Sequence, residues 1–247
     1  MIHLSRFLIG IRHNRVFRFR SLAGQIVDNL IKELSDVFDR VTETSANDEF
    51  VLENNRGTLF ATLNRDDIII ENRKIYDLET KKYVEVSKPK LLDITEKSLP
   101  IVSRTLSLKD DYMRVGMILE FRIPKWTAIE GDNFGKFICE KFISFPTTHE
   151  RTQGAARFVY KIPVSGGGVI RNFKDFRNVI IRIDQDWGIN EDGKKEKCFF
   201  ISIDIQRIFD PFRKEVDIQD HFDFAHAHLT KIILPEFQTK GIILNYE

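Results

Sequence analysis

Residues 112–123, YMRVGMILEFRI, limit the fold more than any other stretch of the chain. Met113, Val115, Met117, Leu119, Phe121 and Ile123 fall on one side of an extended backbone, with Arg114, Gly116, Ile118, Glu120 and Arg122 on the other. A period of two held this long specifies a strand with one apolar and one polar face. Such a strand needs neighbours in a sheet and a layer of helices over its apolar side.

Both partners can be read nearby. Phe17 and Phe19 alternate with Val16, Arg18 and Arg20 in RVFRFR (15–20), which predicts a half-buried strand. In residues 21–38, Leu22, Ile26, Leu30, Leu34 and Val37 recur at three- and four-residue steps, predicting a helix with Ser21 as its N-cap. EFVLEN (49–54), GTLFATLN (57–64) and DDIIIENRK (66–74) read as a meander joined by the turn signals NNRG and NRDD. LLDITEKSLPIVSRTL (91–106) has helical periodicity, with Pro100 as an interruption.

The order then restarts. After the strand at 112–123, Phe134, Phe137, Ile138, Phe142 and Phe145 recur at helical spacing over 132–145. RFVYKI (157–162), NVIIRID (178–184) and CFFISIDI (198–205) are strand-like, and a helix closes the chain over 221–237. The expectation is an α+β fold in two similar halves, 1–108 and 109–247, packed as one compact unit. Each half runs strand, helix, antiparallel strands, helix, with the helices on one face of the sheet. This arrangement is similar in layout, and in layout only, to the TATA-binding fold.

Charge excludes a global attraction to polyanions: Lys+Arg number 38 against Asp+Glu 37, a formal net charge of +1. Cys139 and Cys198 are the only cysteines and have no zinc-type or disulfide-framework spacing, so both are expected reduced and partly buried. The longest apolar run near the N-terminus, FLIGI, is too short for a signal core or a membrane span. A soluble, cytoplasmic protein without membrane contact is expected.

Three motifs, RVGMILEFRI, CFFISIDIQRIF and HAHLTKIILPEF, resemble a sporadically distributed family of uncharacterised bacterial proteins of about this length. The resemblance covers the last half of the chain. It implies a partner protein in an accessory or antiviral-defence setting, and it carries over no catalytic residues.

Four stretches carry candidate chemical centres. His221, His226 and His228 lie close in sequence, but His226 and His228 are about 200° apart around a helix and His221 lies roughly 10 Å from His228 along it. They are expected as surface and boundary residues on a helix with the apolar stripe Phe222, Ala225, Leu229 and Ile232, and no metal site is expected. Asp184, Asp204 and Glu120 share one sheet face and could hold Mg²⁺ for phosphodiester chemistry, although Arg122, Lys161 and Arg182 on that face explain them as ion pairs. VSGGGVIRNF (164–173) lacks the lysine and hydroxyl of a phosphate-binding loop. Finally, residues 1–20 hold five arginines and no acid and precede an acidic stretch at 28–53; Arg18 and Arg20, on the first strand's face, are expected to salt-bridge to that stretch.

The expectation is a non-catalytic accessory component that binds another protein, with Ile118, Ile180 and Phe200 as anchors on the polar sheet face. One alternative is a nucleic-acid-binding module using Arg12, Arg18, Arg20, Arg122 and Arg182. Another is an Mg-dependent phosphodiesterase using Asp184 and Asp204. No catalytic residue and no cofactor is assigned.

Overall fold

Strand β1 (Ile2–His13), which no sequence pattern singled out, occupies the middle of the sheet. Phe7, Ile9 and Ile11 are buried on one face, whereas Arg6, Leu8, Gly10 and Arg12 lie on the other, where Leu8 is also buried and blurs the period of two. A register shift between Leu4 and Arg6 turns Leu4 and Phe7 to the same side, opposite Phe121 and Leu119 of the neighbouring strand. The computed structural model describes residues 2–44, 48–77, 82–84, 86–109, 111–124, 139–143, 155–164, 175–189 and 195–246.

The strand expected at 15–20 is absent. Val16 donates its N–H to the Arg65 carbonyl in a connecting loop, and helix α1 (Phe19–Glu33) begins inside the expected strand. Phe17 and Phe19, expected on one face, therefore part company: Phe17 is 82% exposed and Phe19 is 1% exposed. Ser21 is not the cap. It sits in the first helical turn and donates its hydroxyl to the Arg18 carbonyl, and Arg18 is the cap residue.

The meander follows as β2 (Arg40–Thr44), β3 (Glu49–Glu53), β4 (Leu59–Leu63) and β5 (Asp67–Arg73), with a small separate hairpin of β6 (Ile75–Asp77) and β7 (Lys82–Val84). Helix α2 (Lys88–Leu106) runs straight through Pro100. The proline lies on the exposed side, while Leu91, Ile94, Leu99, Val102 and Leu106 are buried, and that packing offsets the hydrogen bond Pro100 cannot donate. Ser107 ends the helix in the left-handed conformation.

The long strand β8 (Tyr112–Pro124) forms as expected, followed by β9 (Ala156–Pro163), β10 (Asp175–Ile189) and β11 (Lys195–Arg213). Of the helix expected at 132–145 only the π-helical turn Cys139–Ile143 is described. The remainder of that segment, the glycine run at 166–168 and the side chains of both cysteines lie outside the described residues.

Among the described residues, ten strands form one sheet in the order β2-β3-β4-β5-β1-β8-β11-β10-β9, with β12 (Leu244–Asn245) beside β1. The β1–β12 pair is parallel and the other pairings are antiparallel. This is an α+β protein built on a large antiparallel sheet. Val115, Met117, Leu119 and Phe121 are at most 1% exposed beneath the helices, as their alternation predicts.

The C-terminal helical segment comprises α3 (Ile218–His228), a π-helical stretch Leu229–Ile233, and α4 (Leu234–Thr239). After Ile218 in the first turn, its buried residues are His221, Ala225, Leu229, Ile233 and Phe237, every fourth position. A pure α-helix of 3.6 residues per turn would rotate such a series off the core, and the wider π turn restores the facing. The expected stripe is corrected accordingly: Ile233 is buried, and Ile232 is 54% exposed. No helix among the described residues is long and apolar enough to cross a membrane.

Candidate interaction surface

The described helices pack on the Phe7 side of the sheet; for example, Phe222 of α3 stands 6.3 Å from Phe7, ring centre to ring centre. The opposite side is hereafter the open face; Leu8, Glu120, Ser202 and Gln206 are buried at its centre, and exposure rises toward Arg182 and Val159 at the β9 end. Strand register orders its side chains into rows. One row reads Leu8, Ile118, Asp204, Ile180 and Val159, crossing β1, β8, β11, β10 and β9. An adjacent row reads Arg6, Glu120, Ser202, Arg182 and Arg157. On the other side run Gly10, Gly116, Gln206, Asn178 and Lys161.

The first row is apolar apart from its centre. Asp204 Oδ1 is buried without a hydrogen-bond partner, while Oδ2 accepts from Gln206. Burial pushes the Asp204 carboxyl above its usual range, against the Gln206 hydrogen bond and the charges of Arg114 and Arg182. Gly10 and Gly116 pair beside it, and Gln206 lies over Gly116: a Cβ there would stand 3.4 Å from Gln206 Cγ.

Ile118, Ile180 and Phe200 are all partly exposed on this face. Ile118 and Ile180 flank Asp204 in register, whereas Phe200 lies further along β11 opposite Asp184, with the Arg122 guanidinium 5.8 Å from its ring centre.

The five arginines of the polyanion reading do not form one surface. Arg12 is held by Asp67 through two hydrogen bonds of 2.9 and 2.8 Å. Arg18 and Arg20 belong to the start of α1, on the helix-covered side, because the strand expected to carry them is not formed. Arg122 and Arg182 are on the open face, and Arg182 is in register with Arg157. Of the expected pairing of Arg18 and Arg20 with the acidic stretch 28–53, the described residues show that of Arg20, whose guanidinium is 3.9 Å from Glu43 and 3.7 Å from Asp48. Arg15 pairs with Asp66 at 2.9 Å.

A residue that the sequence did not single out organises the centre. Arg6 reaches Glu71 at 2.6 Å and Glu120 at 3.0 Å, bridging β5, β1 and β8. Burial alone would push the Glu71 carboxyl up, but hydrogen bonds and charge from Arg6 and Arg73 hold it below the usual carboxylate range. With Glu120 engaged, the three-carboxylate site does not assemble. Asp204 pairs with Ile180 and Asp184 lies four residues further along β10, roughly 13 Å away at 3.3 Å per residue. Among the described residues no group of three His, Cys, Asp or Glu side chains converges.

The histidines divide by environment. His221, expected at the surface, is 2% exposed and its Nε2–H donates to the Ile205 carbonyl at 3.1 Å, leaving Nδ1 without a partner. Burial pushes its pKa down to about 4. His226 Nδ1 lies 3.3 Å from the Tyr246 hydroxyl, and His228 Nε2 lies 2.8 Å from that of Tyr160.

Cavities are formed among the described residues. One, about 360 Å³, lies on the helix side at the β9 edge between Phe142, Phe158, Tyr160, Ile181, Ile232 and Phe237. Another, about 410 Å³, is polar and sits where the end of α1 meets the β3–β4 turn and the start of α2. Its Asn54 and Asn72 amides are used up in bonding Thr58, Leu59 and Ser87, which fixes that turn. The β9 edge was legible in part, since RFVYK sets three large apolar residues between two bases. No protein-family model matches this chain, and no curated protein matches it.

Proposed function

We propose that this protein is a non-catalytic component that binds another protein through the open face of its sheet. The observation that carries the reading is the row Ile118, Asp204, Ile180 and Val159, apolar apart from Asp204 and bordered on one side by Arg182 and Arg157. Apolar anchors supply affinity and the flanking charges supply register and discrimination. The family resemblance supports seeking the partner among accessory or defence components of a bacterial multi-protein system. We also infer two halves, 1–108 and 109–247, in a layout like the TATA-binding fold. The outward order β1, β5, β4, β3, β2 on one side and β8, β11, β10, β9 on the other supports that division.

The test is recovery of a partner from the native host by tagged wild-type protein and by an Ile180→Asp, Phe200→Asp variant. Loss of the partner with an unchanged melting temperature supports the reading. Equal recovery by both overturns it.

A second reading, binding of single-stranded nucleic acid, is favoured by one observation. Arg182 and Arg157 stand side by side on the open face with no ion-pair partner among the described residues. Affinity for a generic oligonucleotide that falls steeply with salt, and falls again in Arg182→Ala, would establish it in place of the first.

A further inference from the structure

Strand β9 ends the sheet and, among the described residues, pairs only with β10. Unpaired strand edges invite addition of another strand, and proteins blunt them with charges, prolines or a covering element. Here three consecutive large apolar residues remain open: Phe158 is 37% exposed, Val159 51% and Tyr160 36%. Arg157, Val159 and Lys161 project on the open face, opposite Arg182, Ile180 and Asn178. Phe158 and Tyr160 project on the helix side, where they wall the 360 Å³ apolar cavity.

We propose that β9 is a docking edge for an extended acidic segment of a partner protein, added as the next strand of the sheet. This deepens the protein-binding reading but uses a separate surface. Main-chain hydrogen bonds along the edge provide affinity, and alternate side chains provide specificity. On the open face the incoming strand meets Arg157, Val159 and Lys161, which select acid, apolar and acid in turn. On the helix side an apolar side chain enters the cavity beside Phe158. A second copy of this chain is a poor occupant. Antiparallel pairing centred on Val159 sets Arg157 of one copy against Lys161 of the other, and parallel pairing stacks like charges as well.

The probe is a synthetic peptide with glutamate, leucine, valine, leucine and glutamate in sequence, flanked by threonines, alongside a counterpart with lysine for glutamate. Binding is read by fluorescence anisotropy and amide hydrogen exchange. The acidic peptide is expected to bind more tightly than the basic one by on the order of tenfold, with new protection at residues 156–163. Val159→Lys is expected to abolish binding, and the double variant Arg157→Glu, Lys161→Glu to reverse the preference, which also shows that it folds. Phe200→Asp, which probes the open-face anchors, leaves peptide binding intact, so the two readings fail separately. No binding of the acidic peptide, equal binding of both, or protection elsewhere than β9 would overturn the proposal.

Discussion

Tyr160 Oη lies 2.8 Å from His228 Nε2, so the edge strand β9 is tied to the C-terminal helical segment one residue before its π turn. The His228 ring also stacks on Phe224 at 5.6 Å with 9° between the planes. Burial lowers the His228 pKa and raises that of Tyr160, so near neutral pH the phenol donates to an uncharged imidazole. Tyr160→Phe is expected to cost about 1 kcal/mol, measured by the urea midpoint at pH 7.5. An unchanged midpoint would show that this bond adds nothing to stability.

His221 gives a stability that depends on pH. Its folded pKa is about 4 against an ordinary 6.5, so the unfolded chain binds more protons between those values. The contribution is complete above about pH 6.5 and is lost as pH falls toward 4, by up to about 3 kcal/mol. Denaturant titrations from pH 7 to pH 4 are expected to show this slope, and His221→Leu to flatten it. A slope unaltered by the substitution would assign it to other groups.

Adjacent residues on β8 separate core from open face. Leu119 is fully buried, and Leu119→Ala is expected to cost about 2–5 kcal/mol. From the sequence, Glu120→Ala ought to cost little. In the structure Glu120 is 8% exposed and accepts from Arg6, whose other partner Glu71 remains, so about 1 kcal/mol is expected. Equilibrium unfolding of both variants checks the order.

The π stretch admits a deletion test. Removing the exposed Ile232 leaves Leu229 and Ile233 three positions apart, which an α-helix accommodates with both residues still facing the core. The deletion is expected to cost less than Leu229→Ala, itself about 2–5 kcal/mol. A larger loss would mean that the wide turn is required where it stands.

The sequence by itself determined the elements whose faces differ. The alternation of Val115, Met117 and Leu119 fixed both the strand and its buried side, and the spacing of Ile26 and Leu30 fixed the helix above the sheet. Amphipathic patterns are readable because solvent on one side and core on the other impose a period on the residues. Only the tertiary structure decided the rest. β1 reaches the centre of the sheet through pairings with β5 and β8, and the buried Leu8 on its polar face, with the register shift after Leu4, blurs the period that Phe7, Ile9 and Ile11 keep. Whether Phe17 or Phe19 is buried depended on where α1 begins. That Ile118, Asp204 and Ile180 form one row although they lie 24 to 86 positions apart in the chain, and that Arg6 joins Glu71 to Glu120, followed from strand order and register. Those long-range pairings are set by how whole faces pack together, and local spacing along the chain does not encode them.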